Sequence, residues 1–418
     1  MASTKATDAV YHVEPPSAAK KLRELFYCAH MIHSHIAHFY ALAAPDFIVG
    51  PTSDPAQRNI LGLIAKVGLE VGSEVIKHRA YAQDIQAVIG GKATHPVCGL
   101  PGGMSKPITE EERKDFKEKA KSLVEFGKFS LKLFNDQVLA NKEYLELITG
   151  NIYTMESYYM GLVDSNNKVN FYEGDIRVVD PDGKEVSKFK SADYLEYIAE
   201  HTEPWSYLKF PFLKKVGWKG MVEGKDSGVY RVNSLARLNV ADGMATPLAQ
   251  AEYEKIFDTL GGKPVHATLA FHWARLIEIL YAAEHLLELC QDGEITSPEV
   301  RTIPTATPDE GVGIVEAPRG TLIHHYQTDE KGIIQKVNLI VATVQNNPAM
   351  NMSIKKAAQG LIKKGKEASE GLLNMVEMAF RAYDPCMACA THTLPGQMPL
   401  EVVIYKSNGE VAERLSRH

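Results

Sequence analysis

The chain has 418 residues, with 46 basic and 52 acidic side chains, a net charge of −6, 45% hydrophobic and 23% charged residues. This is the composition of a folded globular protein, which excludes disorder, collagen and coiled coil as whole-chain readings. An isoelectric point near 6.2 leaves no basic footprint, so nucleic acid is excluded as an expected partner.

Residues 1–16 are short and end in Pro15-Pro16. The apolar spacing Leu22, Leu25, Phe26, Ala29, Ile32, Ile36, Phe39 predicts a helix that Pro45 stops. Pro55 predicts the start of a second helix through Ile60, Ile64, Val67, Val71 and Ile76. A Gly/Pro-rich loop over 90–103 reads as rigidly turned. Thr109 and Glu112 form a capping-box signature before a long helix to about Ile148. Ile176–Val179 and Glu185–Phe189 around Asp180-Pro181-Asp182-Gly183 predict a hairpin. Gln250–Leu260 and Ala267–Leu289 read as helices. Thr321–Thr343 reads as a second hairpin around Asp329–Gly332. A helix from about Ala357 to Phe380 leads to Tyr383-Asp384-Pro385, and Ser407-Asn408-Gly409 marks a third hairpin. The fold class is mainly α with small peripheral β-hairpins.

The five cysteines, Cys28, Cys98, Cys290, Cys386 and Cys389, are odd in number and sparse, so a reducing, cytoplasmic setting is expected. The start of the chain carries no apolar signal segment. The most apolar stretch, Phe26–Val49, is interrupted by four histidines and Asp46, so no membrane span is expected. In Asp384-Pro385-Cys386-Met387-Ala388-Cys389-Ala390-Thr391-His392, two thiols three residues apart can face one soft metal. A redox pair or half of a zinc site are the alternatives. His30, His33, His35 and His38 share one predicted helix. Such histidines serve more often as hydrogen-bonded core residues than as ligands. Arg319, between Pro318 and Gly320, must place its charge against an anion, a cavity ligand or a structural carboxylate. Thr343, beside Ala342, is expected at the end of a buried strand, where bonding to local backbone is the plain alternative.

In chain order, these segments resemble the large subunit of nickel–iron hydrogenases: His33–Tyr40 through Pro45-Asp46-Phe47, Gly90–Gly103, Ser234–Asn239, Glu316–Gly320 and Asp384–His392. Glu316–Tyr326 and Thr393–Pro399 are most similar to the cytosolic group, in particular its methyl-viologen-reducing, deazaflavin-non-reducing methanogen branch. The resemblance implies a helical large-subunit fold and heterolytic cleavage of dihydrogen at nickel and iron, the iron carrying cyanide and carbonyl. It implies Cys386 as a terminal nickel ligand and Cys389 as a bridge between the metals. Arg319 is implied above the metals, with Asp384, Asp46 and Pro318 completing the pocket. Thr343 and Ala342 are implied at the diatomic ligands. His392, with the Leu339 carbonyl as a weaker candidate, is implied at a magnesium or iron ion.

The resemblance further implies one domain over 1–392 and a tail, 393–418, removed by a maturation endopeptidase. The partners it implies are an iron–sulfur small subunit, a heterodisulfide reductase and a further electron-transfer subunit. The family's N-terminal Cys-pair motif, R-x-C-G-x-C-x-x-x-H, is not in this sequence. Hence the chain as written is expected to be truncated relative to the family and inactive alone. A metal-free structural subunit of a related oxidoreductase is the second reading. An unrelated zinc protein using Cys386, Cys389 and two of the four histidines is the third.

Overall fold

The structure, a computed structural model, describes residues 1–363, 369–385, 400–406 and 408–417. Helix α1 (Ala2–Val10) leads into α2 (Ser17–His38), followed by α3 (Leu69–Gly90) and α4 (Glu110–Phe134). The Thr109 hydroxyl accepts from the Glu112 N–H at 3.1 Å, and the Glu112 carboxylate accepts from the Thr109 N–H at 2.7 Å. The capping box therefore starts α4 as its sequence predicts. Gly68, at φ +94°, divides the predicted second helix into Ile60–Val67 and α3. Pro45 does not stop α2. The chain continues through wide π-type turns, Phe39–Ala43 and Pro45–Val49, because a proline at the first position of a turn needs no N–H.

A four-stranded sheet follows these helices, of which the sequence predicts only the hairpin around Asp180–Gly183. Strand β1 (Tyr158–Val163) is covered along its whole length. It pairs antiparallel with β2 (Asp175–Val179), which pairs with β3 (Glu185–Phe189) across the predicted Asp180–Gly183 turn. The short β4 (Tyr230–Arg231) lies parallel on its other side, giving the order β3-β2-β1-β4. The β structure is thus more than peripheral hairpins. A continuous apolar run such as β1 has no two-residue alternation to announce it.

Helix α5 (Ser234–Val240) crosses β1, and α6 (Pro247–Thr259) leads to α7 (Phe271–Gln291). Helix α7 is buried on nearly every face and packs on α2, α4 and α6, which makes it the axis of the core. Strands β5 (Glu310–Ala317), β6 (Gly320–Thr328) and β7 (Ile334–Ile340) form an antiparallel sheet in the order β7-β6-β5, with the β6–β7 turn at the expected Asp329–Gly332. The helix predicted from Ala357 to Phe380 is instead α9 (Asn347–Leu361) and α10 (Glu370–Arg381), preceded by the short α8 (Ala342–Gln345). Strands β8 (Leu400–Tyr405) and β9 (Val411–Arg417) form the last hairpin. Among the described residues no helix is long and apolar enough to cross a membrane.

Helix α1 lies directly on β5. A Cβ at Gly313 would stand 2.2 Å from the Ala6 nitrogen and 2.3 Å from the Ala2 carbonyl oxygen. Only a glycine lets helix and strand backbones come this close. Gly313→Ala is expected to displace α1 and destabilise the protein by about 1–3 kcal/mol. The readout is a fall in melting temperature relative to the parent chain.

Candidate active site

Helix α10 ends at Arg381, and Ala382-Tyr383-Asp384-Pro385 run from it to Cys386. This short strap is gripped from four directions. His38 Nε2 donates to the Arg381 carbonyl at 2.9 Å, and Arg275 Nη2 donates to the Ala382 carbonyl at 2.6 Å. Asn233 Nδ2 donates to the Tyr383 carbonyl at 2.8 Å, and Arg319 Nε donates to the Asp384 carbonyl at 2.5 Å. The Arg381 side chain is fixed as well. Its guanidinium meets Asp46 at 2.7 Å and Glu377 at 2.7 Å, and Asn374 donates to Asp46 at 3.0 Å. The wide turn at Pro45–Val49 is what brings Asp46 inside to meet it.

Asp384 adopts φ +57°, a left-handed conformation that Asp tolerates better than most residues. Its carboxylate is 1% exposed. Oδ1 lies 3.4 Å from Arg319 Nη2 and 3.9 Å from His38 Nε2, and Oδ2 has no hydrogen-bond partner among the described residues. Burial pushes the carboxyl up to about 6, against the pull of Arg319 and Arg275.

Behind the strap is a buried charge network. Arg237 meets Glu278 at 2.5 and 2.7 Å and Glu316 at 2.8 Å, and all three side chains are fully buried. Glu316 also accepts from the Thr321 hydroxyl at 2.7 Å and the Leu162 N–H at 2.9 Å, which ties β6 and β1 to the network. His35 Nε2 lies 2.9 Å from Glu278. Burial opposes ionisation of Glu278, but Arg237 holds it down at about 2. Burial pushes Glu316 above its ordinary value, because it has the smaller share of the same cation. Burial drives His35 down to about 4 despite Glu278, so its neutral ring donates to the carboxylate.

The structure therefore joins Arg319, Asp384 and Asp46 through the strap. Arg319 takes the structural-carboxylate option among the three open to it. Pro318 is buried, and its carbonyl accepts from Arg237 at 3.4 Å. Thr343 does not end a strand. It is half-buried on α8, and its hydroxyl has no hydrogen bond among the described residues. Ala342, also on α8, is buried, and its carbonyl accepts from the Asn346 N–H at 3.3 Å. Asn346 in turn donates to the Arg319 carbonyl at 3.3 Å. Leu339 lies on the edge strand β7 and is 45% exposed. Cys386, Cys389 and His392 lie outside the described residues.

His35 and His38 are hydrogen-bonded core residues, and no metal-holding group of three or more His, Cys, Asp or Glu occurs among the described residues. The sequence reading misses Asn233, Arg275, Glu278 and Arg381. A buried polar residue within an apolar helical period was the available signal for Arg275 and Glu278, which sit in the middle of α7.

Two consequences are testable. Arg381 and Asp46 are each about 1% exposed, so Arg381→Leu strips a buried carboxylate of the cation hydrogen-bonded to it at 2.7 Å and leaves it Arg58 at 3.9 Å. A loss of about 3–5 kcal/mol is expected, read as a lowered melting temperature. His35 has an ordinary value of 6.5 in the unfolded chain and about 4 here. The unfolded state therefore takes up the proton first, and this contribution to stability is complete above about 6.5 and is lost as pH falls towards 4. His35→Gln keeps a donor to Glu278 without a titrating ring. Its melting temperature should fall less steeply between pH 7 and pH 4 than that of the parent chain.

Comparison with known proteins identifies the family. Residues 1–56 and 73–392 match the family described as nickel-dependent hydrogenase. The F420-non-reducing hydrogenase iron-sulfur subunit of Archaeoglobus profundus is 53% identical over 99% of this chain and 85% of its own length. The F420-non-reducing hydrogenase vhc subunit of Methanococcus voltae is 45% identical over 98% of this chain and 84% of its own. A crystal structure of an NAD+-reducing [NiFe]-hydrogenase in the H2-reduced state superposes with a TM-score of 0.85 at 34% identity, covering 94% of this chain and 84% of that one. With a family match across most of its length and close relatives over nearly all of it, the chain belongs to the nickel-dependent hydrogenase family.

Proposed function

We propose that this chain is the subunit that splits dihydrogen in a cytoplasmic nickel–iron hydrogenase, with Cys386 and Cys389 holding the metals. The observation that carries the reading is the strap. A fully buried, multiply bonded segment runs up to Cys386 in the sequence, and near its end the Asp384 carboxyl meets the Arg319 guanidinium. The described residues fit such a centre. The Asp384 Oδ2 atom is buried and unpartnered among them, and the Thr343 hydroxyl is half-buried with no hydrogen bond among them. Bound there, the nickel–iron pair, with cyanide and carbonyl on iron, supplies a soft centre for heterolytic cleavage of dihydrogen.

The chain's own residues do the rest. Asp384 holds the Arg319 guanidinium through both its carbonyl and its carboxylate, so a positioned cation stands at the strap two residues before Cys386 in the sequence. Asp46, held by Arg381 and Asn374, sets the position of the helix end from which the strap starts. Pro318 fixes the backbone before Arg319. Thr343 and Ala342 are assigned to the diatomic ligands, and His392 with the Leu339 carbonyl to a magnesium or iron ion. The family match ends at His392, which supports one domain over 1–392 and removal of 393–418 by a maturation endopeptidase. The assigned partners are an iron–sulfur small subunit that takes the electrons, a heterodisulfide reductase and a further electron-transfer subunit. The subunit names of the relatives support membership of a multi-subunit enzyme.

The test is metal content and dihydrogen-dependent viologen reduction of this chain joined to a segment that supplies the family's N-terminal Cys-pair motif, produced with its maturation factors and small subunit. The chain as written is expected to stay inactive. Nickel and iron should bind and should both be lost in Cys386→Ala. Arg319→Lys should keep the metals and lower kcat on the order of 100-fold. Full nickel in Cys386→Ala overturns the assignment.

A further inference from the structure

We propose that His38, Asn233 and Arg275 are positioning residues for the metal-holding cysteines, acting through the main chain of the strap. This rests on the proposed role of Cys386 and Cys389. The last carbonyls of a helix have no partner within it and are ordinarily left to water. Here the carbonyls of Arg381, Ala382, Tyr383 and Asp384 each receive a side-chain donor, and no two donors come from the same element. His38 ends α2, Arg275 lies in α7, Asn233 precedes α5 and Arg319 lies in the β5–β6 turn.

This grip is costly as mere capping. His38 is 2% exposed, and Asn233 and Arg275 are fully buried. Burial pushes Arg275 down to about 10, a sign of how far its charge is removed from water. Asn233 adopts φ +111° and uses Oδ1 to accept from the Ser234 N–H at 2.7 Å and from Arg275 at 3.0 Å. Its Nδ2 is thereby aimed at the strap, and the Asn233 and Arg275 grips are locked to each other. His38 must carry its proton on Nε2 to donate, and burial keeps the ring neutral. Tyr383 is also held by its side chain, through a 2.9 Å contact with the Ser353 hydroxyl.

Only Pro385 separates the gripped Asp384 from Cys386, and its ring fixes φ. The strap is therefore the covalent approach to the first thiol, one residue away. Residues that orient a metal's ligands without touching the metal typically change affinity about 10–100-fold when removed.

The experiment uses this chain joined to a segment that supplies the family's N-terminal Cys-pair motif, with its small subunit, loaded with nickel and iron. Four variants are compared with the parent: His38→Leu, which removes a donor; His38→Gln, which replaces it; Asn233→Asp, which keeps the Oδ1 contacts and loses the Nδ2 donor; and Cys386→Ala. The readouts are nickel retained against a chelator titration and the g-values of the nickel electron paramagnetic resonance signal. His38→Leu and Asn233→Asp should lose nickel on the order of tenfold more readily and shift the g-values, and His38→Gln should restore both towards the parent. Parent-like retention and g-values in His38→Leu and Asn233→Asp overturn the proposal. Should His38→Leu fail to fold, Asn233→Asp alone decides by the same criteria. Parent-like nickel in Cys386→Ala overturns the cysteine assignment, and the positioning role with it.

Discussion

An arginine in a protein core cannot shed its charge, so every fold that buries one must bring acceptors to it. This chain fully buries Arg23, Arg231, Arg237, Arg275 and Arg381, and each joins segments far apart in sequence. Arg23 binds Asp8 and the carbonyls of Leu100 and Gly103. Arg231 binds the Ser157 and Tyr159 hydroxyls. Arg237 takes Glu278 and Glu316, Arg275 takes Asn233 and the Ala382 carbonyl, and Arg381 takes Asp46. The hydrophobic core around α7 supplies the driving force for collapse, and these cations select one arrangement within it.

Three of the five converge on the same end of the molecule. Arg381 and Arg275 hold the strap itself, and Arg237 holds the Glu316–Pro318 approach to Arg319. The end proposed to hold the metals is thereby built on defined elements, with Arg319, Asp384 and Asp46 each held in turn by another side chain. A soft metal pair needs this kind of frame, because its ligands must be fixed before the metals arrive if geometry is to set reactivity. The balance of charge also differs across the frame. Glu278 is held firmly ionised by Arg237, whereas Asp384 is pushed up by burial with Arg319 only partly turned towards it.

Local signals in the sequence mark local structure. Thr109 and Glu112 cap α4 reciprocally, and the Asp180–Gly183 and Asp329–Gly332 turns close the hairpins they promise. Local signals fail where an element depends on its surroundings. Strand β1 is apolar on both faces because helices and sheet cover both, and Pro45 continues a helical path because the wide turn there asks nothing of its missing N–H. His38 looks like a possible ligand from its spacing and proves to be a donor to a carbonyl 343 residues away.

The sequence by itself determined the family, through ordered motifs dense enough to need no geometry, and it determined the helices and hairpins whose caps and turns are written within a few residues. It also marked Arg319, Asp384 and Asp46. Only the tertiary structure decided how these three are connected, and it brought in Asn233, Arg275 and Arg381, which no motif announces. The reason is physical. A cap or turn is satisfied by neighbours along the chain, whereas a buried guanidinium or a strap carbonyl is satisfied by whichever distant segment the fold brings to it.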